Sequence, residues 1–276
     1  MLIGVVLLAD SPEISSRVQA TLAVSRVLPG LSELRYEIVS KSIVARLLNP
    51  TYAAVATPKI LEDASQEFAQ LSKKFERVIF LRGDSDLGIV EHSLLHELGH
   101  ISYFSLYPEK VEERRQFYSK LKKAIESNSK LSYLMTKAHS ITEFNPKARV
   151  FLSLESDELY ANRFAYNYNT DRLAYRRLMD RELFAAKKAW ERFGFGNQFD
   201  IAFHMVIVDM HARVLDTPWL AELPAHHRWL LPYTTAVVDA LDKEDAPALF
   251  ARQLLLFNAL NRWTETTEEE IKAAMS

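Results

Sequence analysis

Two histidines and a glutamate in the stretch His96-Glu97-Leu98-Gly99-His100 have the types and the spacing of a metal site. On an α-helix, which turns about 100° per residue, His96 and His100 lie one turn apart on the same face. Two imidazoles in this arrangement can hold one zinc ion, and the glutamate is placed to take a proton from a water that the metal activates. The pattern H-E-x-x-H therefore predicts a catalytic zinc helix with His96 and His100 as ligands and Glu97 as general base.

The residues around the motif indicate a half-buried helix. Apolar side chains recur at helical spacing on a face separate from that of the ligands: Val90, Leu94, Leu98 and Ile101. A third histidine, His92, stands one turn before His96. Three histidines in a row span two helical turns, which is too far for one ion. We therefore interpret His92 as a rim or packing histidine.

A catalytic zinc site needs a third protein ligand and leaves one position open for water. The chain has no cysteine, so the ligands must be histidines and carboxylates. The best candidate is Glu158, in a predicted helix that begins near residue 155. Glu158 and Asn162 share a face of that helix, so Glu158 can bind the metal while the Asn162 side-chain oxygen accepts an N–H from a ligand histidine. Glu155 lies near the same face and is the alternative ligand.

The two motifs together resemble those of the gluzincin class of zinc metallopeptidases. H-E-L-G-H followed by E-x-x-A-N-x-F-A is most similar to the ImmA/IrrE-type peptidases, and the likeness covers roughly residues 78–168. The resemblance implies a zincin-like fold with a Zn²⁺ cofactor. It also implies His96, His100 and Glu158 as metal ligands, Glu97 as general base, and Asn162 as the residue that orients a ligand histidine.

Hydrophobic patterning predicts an α+β fold. Four strands, at about residues 2–9, 34–38, 52–56 and 77–82, form a mixed sheet with interleaved helices and lead into the metal helix. A short helix is expected at 42–48, and a turn over 83–86 supplies a cap for the metal helix. We predict a sheet-bearing lobe over 1–106, a helical insertion or connection over 107–150, and a helical lobe over 151–276 that carries the third ligand.

The remaining segments give weaker predictions. Residues 107–128 read as a charged helix, and 129–146 as a connection with a short helix at 134–138. The apolar run 201–214 predicts a buried helix. Its two histidines, His204 and His211, are interpreted as satisfied buried side chains rather than as a second metal site. One of these histidines, or Tyr160 or Tyr166, is a candidate to polarise the scissile carbonyl, and the sequence does not choose among them.

Composition excludes several classes of partner. The 276 residues include 34 basic and 36 acidic side chains, a formal net charge of -2, so neither a nucleic acid nor a membrane partner is expected. The apolar N-terminus is short, lacks a basic region and reads as a buried strand rather than a signal peptide. No apolar run approaches the length of a membrane span. We expect a soluble, cytoplasmic protein without disulfides.

The sequence thus predicts a zinc metallopeptidase, a hydrolase that cleaves a peptide bond in a protein or peptide substrate. A site-specific regulatory protease is a narrower form of this hypothesis. The alternative is a zincin-like binding or regulatory protein that has no peptidase activity. The intact Glu97 favours the enzyme, because a protein that only binds has no chemical need for a general base.

Overall fold

The computed structural model describes residues 1–7, 11–40, 53–56, 66–82, 86–193, 198–219 and 225–275. The chain forms two compact units. The first unit comprises Met1–Tyr107 and Tyr160–Tyr175, and the second comprises Pro108–Leu159 and Arg176–Ser276. Each unit has its own hydrophobic core. The architecture is α+β and mainly helical, which confirms the predicted class.

The sheet belongs to the first unit and has the strand order β2-β1-β4-β3. Its strands are β1 (Leu2–Leu7), β2 (Arg35–Ser40), β3 (Ala53–Ala56) and β4 (Arg77–Leu81). β1 pairs in parallel with both β2 and β4, whereas β3 pairs antiparallel with β4. The sheet is therefore mixed, and the continuous apolar run at the N-terminus forms one of its two central strands, as predicted.

The helices are numbered in chain order. They are α1 (Pro12–Ser25), α2 (Gln66–Lys74), α3 (Leu87–Leu106), α4 (Pro108–Ser127), α5 (Ser129–Phe144), α6 (Pro146–Leu152), α7 (Glu158–Tyr168), α8 (Ala174–Phe193), α9 (Gln198–Leu215), α10 (Leu231–Asp242), α11 (Ala246–Asn261) and α12 (Glu268–Met275), with a 3-10 helix over Ala225–Leu230.

One face of α3 packs on the sheet. The apolar stripe predicted on the metal helix is fully buried, in a cluster shared with Ile3 and Val5 of β1. On the opposite side of β1, Gly4 faces Phe75, and a Cβ at Gly4 would lie 2.7 Å from the Phe75 ring. Glycine is thus required where this buried ring meets the central strand. His96 and His100 lie outside this stripe and are partly exposed.

Side-chain caps fix where α1 and α3 begin. The Ser11 hydroxyl accepts a hydrogen bond from the Ile14 N–H at the start of α1, and Pro12 occupies its first turn. The Asp86 carboxylate accepts from the Gly88 and Ile89 N–H groups at 3.0 and 3.2 Å. The cap predicted for the metal helix is therefore present. The helix predicted at 42–48 and the turn residues 83–85 lie outside the described residues.

In the second unit, the sequence prediction for residues 129–146 is wrong. Residues 129–144 form one continuous helix, α5, rather than a connection with a short helix. The Asn128 side chain accepts from the Leu131 N–H at 3.0 Å and begins the helix. Leu131, Leu134 and Ala138 are buried in the core of the unit. Helix formation here is stabilised by that burial, which a weakly periodic polar sequence does not reveal.

Among the described residues, none of the helices combines the length and the apolar character that crossing a lipid bilayer requires.

Candidate metal centre

The imidazoles of His96 and His100 converge on one point. Their Nε2 atoms are 3.2 Å apart, and the two rings meet edge to face with centroids 4.8 Å apart. In a tetrahedral zinc site with bonds of about 2.0–2.1 Å, two ligand nitrogens lie about 3.3 Å from each other. The helix therefore holds both nitrogens at the spacing of neighbouring ligands. With Nε2 facing the site, Nδ1 of each ring faces away from it.

Glu158 completes this group. His96, His100 and Glu158 each offer one ligand atom, and these three atoms lie within 4.8 Å of one another. All three residues are partly exposed, as an ion entering from solvent requires. In the part of the chain that the structure describes, no other set of histidine and carboxylate side chains has such spacing. These three residues form a group that could hold a metal ion.

The two other residues predicted at this site are buried. Glu97 lies on α3 between the two histidines and is 6% exposed. Asn162 lies one turn after Glu158 on α7 and is also buried. The predicted hydrogen bond from a ligand histidine to the Asn162 oxygen and the general-base role of Glu97 stay predictions.

The approach of α7 to α3 depends on Gly99, inside the H-E-x-x-H motif. A Cβ at Gly99 would lie 2.9 Å from the Cα of Ala161, so the two helices touch backbone to backbone at this point. At the other end of α7, the Asn169 side chain donates to the Gly88 carbonyl at 2.8 Å. The two helices therefore run antiparallel, and the first turn of α7, which carries Glu158, lies beside the histidine half of α3.

A buried carboxylate, Glu91, secures the same pair of helices. Arg17 of α1 donates to Glu91 at 2.8 Å, and the Thr170 backbone N–H and hydroxyl donate at 2.9 and 2.6 Å. Three donors satisfy a charge that would otherwise be costly to bury. Glu91 thus joins α1, α3 and the segment after α7, and its position on α3 leaves it apart from the metal-binding group.

The alternative ligand Glu155 has a different partner. Its carboxylate lies 3.0 Å from the Arg114 guanidinium and is 50% exposed. It does not belong to the metal-binding group of the structure. Glu158 is therefore the carboxylate that the fold brings to the histidines.

His92 also lies outside the group. It is buried, and its ring packs against Tyr175 with centroids 4.7 Å apart. The distance between the ring centroids of His92 and His96 is 6.5 Å. This packing agrees with the interpretation of His92 as a packing histidine.

The hydroxyl of Tyr160 forms a hydrogen bond with Ser102. Ser102 Oγ donates to the Pro29 carbonyl at 2.7 Å and lies 3.2 Å from the Tyr160 hydroxyl. A serine hydroxyl has a single proton, so the Tyr160 hydroxyl must donate to Ser102. A phenol whose proton is held in this way is poorly placed to polarise a carbonyl. Sequence reasoning missed this role of Ser102, because no local pattern relates it to residues so distant in the chain.

His204 belongs to a charged network in the second unit. Its Nε2 lies 3.1 Å from Lys147 Nζ, which also lies 3.3 Å from an Asp200 carboxylate oxygen. An ammonium only donates, so Nε2 accepts and the ring proton is on Nδ1, 3.5 Å from Glu182. His211 acts electrostatically on the same carboxylate. His204 and His211 are buried, and neither belongs to the metal-binding group. That both imidazoles are fully satisfied stays a prediction.

The network makes folding stability depend on Glu182. Burial raises the pKa of this carboxyl, but the contact with His204 and the attraction to His211 and Lys147 outweigh burial and lower the pKa below its usual 4.5. A lowered pKa stabilises the fold above the usual pKa, and this stabilisation is lost as the pH falls through the folded-state value. We expect Glu182→Gln to reduce the free energy of unfolding at pH 7, with a smaller difference from wild type in acid.

Urea unfolding of both proteins between pH 7 and about pH 3 measures this difference. Glu126→Gln, at an exposed carboxylate of α4, is the control and should follow the wild type at every pH. If the free energy of unfolding of Glu182→Gln were lower than that of the wild type by the same amount at every pH, a lowered pKa of Glu182 in the folded protein would be rejected.

The donor set of the group fits a zinc ion. Two imidazole nitrogens and one carboxylate are a common ligand set of catalytic zinc sites, which keep one further position for water. In the absence of cysteine, no thiolate competes for the ion. Nitrogen ligands disfavour calcium and magnesium, which prefer oxygen.

Comparisons of this chain with protein-family models, with curated proteins and with solved structures find no match.

Proposed function

We propose that this protein is a zinc-dependent metallopeptidase that hydrolyses a peptide bond in a protein or peptide substrate. The observation that supports it is the convergence of the His96 and His100 Nε2 atoms, 3.2 Å apart, with the Glu158 carboxylate beside them. Glu97, on the same helix turn, supplies the general base that hydrolysis requires. The resemblance of both motifs to gluzincins supports a zincin-like fold for the first unit.

In this mechanism His96, His100 and Glu158 would hold the ion. A zinc ion bound there would polarise the scissile carbonyl and lower the pKa of a water molecule. Glu97 takes the proton of the attacking water as the oxygen adds to the carbonyl carbon. It then delivers that proton to the amine nitrogen as the carbon–nitrogen bond breaks. One water is consumed and one peptide bond is replaced by a carboxyl and an amine.

Metal stoichiometry by elemental analysis is the first test. We expect about one zinc per chain in the wild type and much less in His96→Ala and Glu158→Ala, because each substitution removes one of three ligands. Glu126→Ala is the control. It removes an exposed carboxylate of α4, and its zinc content should equal that of the wild type.

Two results would redirect the proposal. A wild type that takes up no zinc after refilling would leave the alternative, a zincin-like binding or regulatory protein. Loss of zinc in His96→Ala but not in Glu158→Ala would keep the metal site and reject Glu158 as its third ligand.

A further inference from the structure

The residue that precedes the proposed ligand Glu158 is a fully buried carboxylate. The side chain of Asp157 is 0% exposed. A charged carboxylate is costly to remove from water, and the cost is tolerated when opposite charge and hydrogen bonds compensate it. Asp157 must therefore stay close to the group that compensates its charge.

Arg114 of α4 provides that compensation. Its Nη1 donates to Asp157 Oδ1 and also lies 3.0 Å from Glu155 Oε2. The Arg114 side chain is only 11% exposed. Burial lowers the pKa of Arg114, but attraction to Glu155 and Asp157 outweighs burial, and the net shift is upward. One largely buried cation thus holds two carboxylates of the segment that leads into α7.

These contacts fix the backbone at the start of α7. The Glu158 N–H donates to the Glu155 carbonyl at 3.1 Å, which closes a turn over 155–158. Arg114 holds two of the side chains of this turn. Asp157 cannot move away without leaving a buried ion pair, and Glu158 follows it directly in the chain. The turn and the direction in which Glu158 leaves it are therefore set by α4.

We infer that Arg114, acting through Asp157, is a positioning residue that holds Glu158 where it can bind the metal. The inference rests on the metal site of the proposed function, but not on peptidase activity. Residues that orient a metal ligand typically contribute a factor of about 10–100 in metal affinity. The arginine is not part of the metal-binding group, so its effect must appear in how Glu158 binds.

The test compares metal binding in Arg114→Met/Asp157→Asn with that of the wild type. The double variant removes both charges, so it does not leave a single charge buried without its partner. Zinc affinity is measured by competition with a chromophoric chelator. Cobalt(II) absorption is recorded in parallel, because it reports coordination geometry. We expect about 10–100-fold weaker zinc binding and an altered cobalt spectrum. Arg114→Lys, which keeps the charge, should restore part of the affinity.

A control separates positioning from general destabilisation. Arg252→Met/Glu268→Gln removes another partly buried ion pair of the same unit, with a nitrogen–oxygen distance of 3.1 Å. It should retain the affinity and the spectrum of the wild type. If the Arg114 double variant does so too, or if both pairs weaken binding equally, the inference is overturned while the metal site stands. If the wild type binds no metal, both the site and the inference are overturned. If the Arg114 double variant binds zinc more weakly but the wild type shows no peptidase activity, the inference is supported and the proposed function is not.

Discussion

Replacing Glu97 by glutamine is expected to abolish most peptide hydrolysis and to leave the zinc content unchanged. Glutamine has nearly the same shape but cannot take a proton from water, so the general-base contribution is lost. That contribution is about 10²–10⁴-fold in rate. Both ligand histidines remain in place on α3. The first readout is the zinc content by elemental analysis. The second is the cleavage rate, measured by mass spectrometry on peptides from a proteome-derived library that the wild type cleaves.

Glu91→Gln is the matched control for Glu97→Gln. It makes the same substitution at another buried glutamate of α3, where the carboxylate pairs with Arg17 and Thr170. It should lower thermal stability, because a buried charged hydrogen-bond network loses a partner. The folded protein should still cleave at close to the wild-type rate. Wild-type turnover in Glu97→Gln would reject Glu97 as the base.

Replacing Gly99 by alanine is expected to weaken metal binding, because the added methyl group displaces the backbone of α7. The new Cβ would lie 2.9 Å from the Cα of Ala161, an atom that can move only if α7 moves. The better helix propensity of alanine is worth about 1 kcal/mol, and overpacking costs about 1–3 kcal/mol, so the steric effect prevails. Displacement of α7 carries Glu158 away from the histidines. We expect zinc affinity to fall about tenfold or more, measured by chelator competition.

Gly4→Ala is the control for the steric effect. Its Cβ would lie 2.7 Å from the Phe75 ring, so it also overpacks the first unit, but at a strand rather than between α3 and α7. We expect it to lower the midpoint of thermal unfolding while the folded protein keeps wild-type zinc affinity. If Gly99→Ala bound zinc as tightly as Gly4→Ala, the contact between the two helices would not control the site.

Features that depend on short stretches of chain were predictable. The spacing of His96 and His100 fixes both on one face of any helix, and the structure places their Nε2 atoms 3.2 Å apart. The apolar stripe of α3 and the Asp86 cap follow from local periodicity and hydrogen bonding. The same reasoning failed for α5, because its helix is stabilised by burial of a few side chains in a core whose other members lie elsewhere in the chain.

The ion pairs around the site were not predictable from local pattern. Arg114 and Asp157 are far apart in sequence, and each is an ordinary charged residue in its own segment. A charged helix such as α4 usually presents a solvated face. Only the packing of the second unit shows that one of its arginines is buried against the turn before Glu158.

By itself, the sequence determined the donor types, the pairing of His96 with His100 and the helix that carries them, because one helical turn fixes that geometry. The tertiary structure decided which carboxylate joins them. Glu155 and Glu158 stand three residues apart, so both fit a helical pattern. The contact at Gly99 and the antiparallel course of α7 bring Glu158 to the histidines, whereas Arg114 holds Glu155. That choice depends on contacts between segments distant in the chain, which no local spacing encodes.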